Sequence, residues 1–210
     1  MIKTKILKVK GDWKEVLNDC RFTANKDDLD KSPSDKFKKR VLISEHSPIR
    51  GIIFKWEWTE LPHWAVVHWV RHKWEKYVQT QRPDRTGNGR PSQDDPQAMR
   101  GEANVQSLID TMRKRLCFKA SDKTRDSANS LKIEIYDKYD KFIANVFVPN
   151  CIYRCGCPEY DKDDDNRCKF FEWFKKTAED YGVDLTDIEA RYEHYNRLFY
   201  LNNSYEEEEE

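Results

Sequence analysis

The chain opens on an alternation. From Lys3 to Val9, Ile6 and Lys8 fall on one side and Leu7 and Val9 on the other, the two-residue period of a strand. Gly11-Asp12 ends it, and Asp12 stands where an N-cap would serve a helix reaching about Cys20. Residues 24–40 are polar and lysine-rich and read as a loop, followed by the short apolar run Val41 to Ile43. Residues 52–58, Ile-Ile-Phe-Lys-Trp-Glu-Trp, read as a second strand. Pro62 suits a helix start, because its missing N–H costs nothing in a first turn, and that helix is expected to run to about Val78. Three prolines and three glycines make residues 82–101 a loop. A second long helix is expected over about 102–118, and a third begins at Ser121-Asp122. Residues 142–148 are apolar before Pro149, and further helices are expected at about 170–181 and 186–200.

These elements imply an α+β fold, a small antiparallel sheet packed against several long helices. Residues 1–150 read as the core. Residues 151–205 read as a cysteine-containing helical extension of the same domain, and Glu206 to Glu210 as an acidic disordered tail.

Composition narrows the class. Of the 210 residues 38% are hydrophobic and 36% charged, so the surface is strongly ionic. Seven Trp, 10 Tyr and 10 Phe exclude simple disorder and can anchor a core. The 38 basic and 38 acidic side chains cancel, so no global field draws the chain to nucleic acid, although local basic clusters remain available for phosphates. No apolar stretch has the length of a signal peptide or a membrane span, which points to a cytoplasmic protein. Its six cysteines are then thiols or metal ligands rather than disulfides. There is no internal repeat and no glycine-rich phosphate loop, so a dinucleotide-binding βαβ unit has no support.

Two helices carry candidate chemistry. On a helix at 62–78, Val66, Val70, Trp74 and Tyr77 share one face, and His68, Arg71, His72 and Glu75 the opposite one. That polar face fits either a solvated surface with an Arg71–Glu75 ion pair or an anion or cofactor site, since the arginine fork binds phosphate in bidentate fashion. On the helix at 102–118, Val105, Ile109, Met112 and Leu116 form an apolar stripe, while Asn104, Ser107, Thr111 and Arg115 share a hydrogen-bonding face. Arg113, Lys114, Lys119, Lys123 and Arg125 make this region basic.

Three elements stand in order over roughly residues 41–125: Glu45-His46-Ser47-Pro48 before Ile52-Ile53-Phe54, then His68-Trp69-Val70-Arg71-His72-Lys73, then Asn104-Val105-Gln106-Ser107-Leu108 with Arg115 and Ala120, and together they resemble the flavin-dependent thymidylate synthases. His68-Trp69-Val70-Arg71-His72-Lys73 is similar to the signature of that family, Arg-His-Arg followed after a spacer by Ser and another Arg. Glu45-His46-Ser47-Pro48 before Ile52-Ile53-Phe54 is similar to its His/Glu-Thr/Ser-Pro element. Asn104-Val105-Gln106-Ser107-Leu108, with Arg115 and Ala120, resembles its late helix. The resemblance implies a homotetramer with active sites at subunit junctions. It implies FAD reduced by NADPH, a one-carbon unit from methylenetetrahydrofolate, and methylation of dUMP to dTMP. The flavin would carry the hard chemistry and the protein would supply orientation and charge.

By position, Arg71, His72 and Lys73 would lie against the flavin, Ser47 at its phosphates or ribityl chain, and Asn104 at its ring. His68 replaces a glutamine that touches the nucleotide, and Arg82 and Arg115 would hold dUMP. Arg71, His72, Thr80 and Arg115 are the expected catalytic set. Lys73 departs from the second signature arginine, keeping charge but losing the fork. At strict spacing Gln81 occupies the signature serine. With a spacer one residue shorter, Thr80 supplies the hydroxyl, Gln79 replaces a glutamate, and Arg82 keeps the arginine. Residues 83–101 also stand where the family has a longer helical segment with another nucleotide-binding arginine, a role open to Arg85, Arg90 or Arg100. These departures leave open a related reaction, such as hydroxymethylation of the same uracil carbon, and a nucleotide- or nucleic-acid-binding homologue without chemistry.

Cys151, Cys155, Cys157 and Cys168 lie close in sequence and are candidates for a structural zinc site, or else reduced thiols. Such a zinc would make the chain an interaction protein in a third reading. Cys20 and Cys117 read as helical core residues, and a catalytic cysteine lacks a neighbouring base. His63 and His194 read as surface or helix-end residues, and Trp56, Trp58, Trp64 and Trp69 as core or subunit contacts.

Overall fold

The computed structural model describes residues 2–159 and 168–204; the acidic run 206–210 lies outside them. Four strands, β1 (Lys3–Lys10), β2 (Ile53–Pro62), β3 (Glu75–Val78) and β4 (Pro96–Asn104), form one antiparallel sheet in the order β1-β2-β4-β3. Ten helices are described: α1 (Trp13–Thr23), α2 (Asp35–Ile43), α3 (His63–Trp69), α4 (Pro83–Thr86), α5 (Val105–Arg115), α6 (Asp122–Lys138), α7 (Lys141–Asn145), α8 (Asn150–Arg154), α9 (Phe170–Asp180) and α10 (Ile188–Ser204). The α+β class expected from the pattern is the one formed.

Alternation decides which face of the sheet is covered. Along β2, Phe54, Trp56, Trp58 and Leu61 are buried while Lys55, Glu57 and Thr59 are not. β4 buries Gln97, Met99, Gly101 and Ala103 in the same way. Helices α3 and α6 pack on this apolar face. The other face stays ionic, with Arg100 Nε 2.6 Å from Glu57 and Lys10 Nζ 2.5 Å from Glu102. One side of an antiparallel sheet can remain solvated in this way.

Four indoles fill the covered side. Trp58 packs on Trp69 with ring centroids 4.5 Å apart, and Trp56 lies 5.3 Å from Trp58 and 5.1 Å from Trp74. The Trp58 and Trp69 N–H groups donate to the Ser127 carbonyl and hydroxyl, each at 3.0 Å. Gly101 is what lets β4 approach the Trp56 ring: a methyl group at 101 would stand 2.3 Å from Trp56 Cζ2. Gly101→Ala is therefore expected to destabilise the fold by about 1–3 kcal/mol through overpacking. Urea unfolding reads it as a lowered midpoint with unchanged slope, and an unmoved midpoint would contradict this packing.

Three expected elements form differently. The helix from Pro62 stops at Trp69 instead of reaching Val78, and Glu75–Val78 pairs with β4 as a strand. Its run of Val66, Val67, Trp69 and Val70 is poor in helix formers, and Tyr77 and Val78 suit a pleated surface. The stripe Val66–Val70–Trp74–Tyr77 is accordingly not one helical face. Residues 96–104 of the expected loop and helix start become β4, so the next helix begins at Val105, with the Asn104 side chain accepting from Ser107 N at 2.9 Å. Residues 35–43 form α2, capped by Ser34 accepting from Phe37 N. A single buried cluster runs from Ile2 to Tyr195, so α8 and α10 share the core with the sheet. Among the described residues no helix is long and apolar enough to cross a membrane.

Candidate active site

The turn after α3 is the centre of the site. Val70 caps the helix, and Arg71, His72 and Lys73 leave it before β3 begins. Lys76 holds the turn open, its Nζ donating to the His72 carbonyl at 2.5 Å and the Trp74 carbonyl at 2.8 Å. Beside the turn runs α5. Arg115 Nε donates to His72 Nε2 at 2.7 Å, and another of its nitrogens donates to the His68 carbonyl at 2.7 Å. The His72 ring stacks on Trp74 at an interplanar angle of 6°.

These contacts settle the state of His72. A guanidinium always donates, so Nε2 accepts and the ring proton belongs on Nδ1, which lies 3.5 Å from Thr111 Oγ1. Burial first, then the nearby Arg115, Lys114 and Lys76 charges, push the imidazole from 6.5 down to about 4. The ring is thus neutral near pH 7 and orients Arg115. In the unfolded chain it regains its ordinary value of 6.5, so between that pH and about 4 the unfolded state binds the extra proton. Stability is expected to fall as pH drops through this window, with His68 and His194, also lowered by burial, adding in the same direction. Melting temperatures measured between pH 7 and pH 4 should decline less steeply in His72→Gln. An identical slope in that variant would remove His72 from the account.

The turn and α5 line a cavity of about 470 Å3 together with α8. Arg71, His72, Lys73 and Trp74 come from the turn, Ser107, Asp110, Thr111, Arg113 and Lys114 from α5, and Asn150, Tyr153 and Arg154 from α8. Arg113 is committed to structure: it is ion-paired with Glu45 and lies over the Tyr153 ring at 3.5 Å. Glu45 also accepts from Gln106 Nε2 at 2.6 Å, which fastens the Glu45-His46-Ser47-Pro48 segment to α5. Arg71, Lys73 and Lys114 are exposed and have no ion pair among the described residues. The buried indole N–H of Trp74 has no partner there either.

Other expected site residues lie elsewhere. His68 turns toward the start of α6, with Nδ1 3.0 Å from Thr124 Oγ1. Gln79, Thr80 and Gln81 line a separate cavity of about 340 Å3 with Thr86, Asn88 and Arg90. Arg82 is exposed and ion-paired with Asp84 at 2.7 Å. Arg82 and Arg115 thus do not meet over one pocket of a single chain. Ser47 is exposed in the 3-10 turn Ser47–Gly51, and Asn104 is occupied in capping α5. The α8 residues were missed by sequence reasoning, since nothing in Asn150, Tyr153 or Arg154 marks them apart from tertiary contact.

The cysteine and lone-histidine expectations also change. Cys155 turns away from the other three cysteines of its segment: it ends α8 in the left-handed conformation, exposed, with its thiol 3.4 Å from the Leu185 carbonyl. Among the described residues no three His, Cys, Asp or Glu side chains stand gathered as ligands of an ion. His194 is buried, not at the surface, between Thr177 at 3.1 Å and Arg197 at 2.9 Å. His63 pairs with Gln97 at 3.1 Å, and Trp64 donates to Asp94 at 3.0 Å.

No family model matches the chain, and no curated protein matches it in sequence. Solved structures do match. The UMP/dUMP methylase PolB from Streptomyces cacaoi, bound with 5-Br dUMP, shares 12% identity over 70% of this chain and 94% of that one, with a TM-score of 0.57. Two structures of the flavin-dependent thymidylate synthase ThyX from Helicobacter pylori with FAD and dUMP share 11% identity, cover 67% and 69% of this chain and 97% and 99% of those, and give TM-scores of 0.57 and 0.58. Nearly the whole of each relative is therefore matched, by about two thirds of this chain. The resemblance carried by the three sequence elements is a resemblance of fold: the chain adopts the α+β fold of the flavin-dependent thymidylate synthases.

Proposed function

We propose that the protein is a flavin-dependent thymidylate synthase, methylating dUMP to dTMP with methylenetetrahydrofolate and NADPH. The observation that carries this reading is the set of cations Arg71, Lys73 and Lys114, without an ion pair among the described residues, around one cavity at the signature turn. Unpaired cations that converge on a cavity suit a polyanion such as a flavin diphosphate or a nucleotide phosphate. The Trp74 N–H, without a partner among the described residues, belongs to a residue of the same wall. The residues therefore fit FAD, which when bound would supply the reducing equivalents for the methyl group.

The chain's own part is binding and orientation. Arg71 and Lys73 hold the anionic end of the cofactor, and Lys114 adds charge from α5. Arg115, fixed by neutral His72, keeps the turn in shape. Ser47 and Asn104 take their sites by resemblance alone. Thr80, Gln81 and Arg82, which line or adjoin another cavity, would complete the site of a neighbouring subunit in a homotetramer.

The visible absorption spectrum of the freshly purified protein, with FAD added and then dUMP, tests the reading. A flavin spectrum that shifts with dUMP supports it, and absence of flavin binding overturns it. The mass of the product then separates dTMP from a hydroxymethylated nucleotide, the reaction favoured if the Lys73 and Gln81 departures have altered the chemistry.

A further inference from the structure

Four of the six cysteines converge on one cavity, and they are not the four that lie closest in sequence. Cys117 follows α5, Cys151 lies in α8, Cys157 follows α8, and Cys168 precedes α9. All four line a cavity of about 410 Å3, whereas Cys155 faces the Leu185 carbonyl and Cys20 lies 3.7 Å from His46. We propose that Cys117, Cys151, Cys157 and Cys168 form a tetrathiolate zinc site that ties α5 to α8 and to the start of α9.

Chemistry and charge both favour it. Zinc in a structural site takes four soft ligands in a tetrahedron. Each thiol gives its proton to solvent as the ion binds, leaving a centre of two net negative charges. Arg113, Lys114, Arg115 and Lys119 line the same cavity against a single acidic side chain, Glu159, so the wall around that charge is net basic. The sulfurs stand apart in the metal-free geometry and must close to about 2.3 Å from the ion. Cys157 and Cys168 lie outside any helix or strand, so they can move without breaking backbone ladders. None of the four cysteines lines the cavity at the signature turn, although the two cavities adjoin and share Arg113, Lys114 and Asn150, so zinc content is read separately from flavin binding.

The test is zinc content of the freshly purified full-length protein by plasma mass spectrometry, alongside Cys155→Ser and Cys157→Ser. About one zinc per chain is expected in the wild type and in Cys155→Ser, with most of it lost in Cys157→Ser. Should Cys157→Ser fail to fold, cobalt(II) titration of the metal-stripped wild type decides, through the strong thiolate-to-cobalt absorption of a tetrahedral sulfur site. Metal-free protein with no such absorption overturns the site. So does Cys155→Ser losing zinc as fully as Cys157→Ser, or Cys157→Ser keeping it.

Discussion

Lys132→Met is expected to destabilise the protein by about 3–5 kcal/mol, a large part of a typical domain's stability. Lys132 lies within α6 at 0% exposure. Its ammonium donates to the Ala144 carbonyl at 2.7 Å, the Phe147 carbonyl at 3.0 Å and Asn196 Oδ1 at 2.6 Å. Those three acceptors match its three N–H donors, and they come from α7, the segment after it, and α10. The rings of Tyr195, Phe199 and Tyr200 lie 5.0 to 5.7 Å away and add a negative surround. Burial pulls the amine well below its ordinary range. Methionine fills the space but removes the lysine donor from the Phe147 carbonyl and Asn196 Oδ1, at about 1–3 kcal/mol for each one that finds no water, while the Ala144 carbonyl keeps the Phe147 N–H at 3.1 Å. Urea unfolding measures the loss, and a change under about 1 kcal/mol would show that the lysine is dispensable.

Arg71→Ala is expected to weaken FAD binding by about 10- to 100-fold, the worth of a charge-assisted hydrogen bond of 1.5–3 kcal/mol. Fold stability should change by less than about 0.5 kcal/mol, because the side chain is exposed and unpaired among the described residues. Fluorescence titration with FAD reads the first effect and thermal melting the second. Unchanged affinity would separate Arg71 from the site. Arg115→Ala should behave oppositely, losing stability together with the bonds that hold His72 and the His68 carbonyl. The sequence alone placed Arg115 on a polar face free to meet a nucleotide, and the half-buried clamp corrects that.

Much of the fold was legible because it rests on local period and capping. The alternation at Lys3–Val9 and at residues 52–58 became β1 and β2, and Asp12 caps α1 through Lys14 and Glu15. Of the expected polar face Asn104, Ser107, Thr111 and Arg115, Ser107 and Thr111 line the cavity, whereas Asn104 caps α5 and Arg115 binds His72. Arg71, His72 and Lys73, adjacent in the motif, line one cavity. The helix expected through Val78 was misjudged because periodicity cannot register that a partner strand is available. Glu75–Val78 pairs with β4, and β4 itself hides in a segment rich in proline and glycine.

The sequence by itself determined the class of fold, its strands and helix starts, and the basic signature around which a site would form, since these depend on side-chain period, capping groups and residue chemistry within a few positions. Tertiary structure alone decided that α8 completes the cavity, that Arg115 braces His72 instead of standing free, and that Cys117 replaces Cys155 among the converging thiols. Those outcomes turn on which distant segments meet, and long-range packing leaves no local trace in the order of residues.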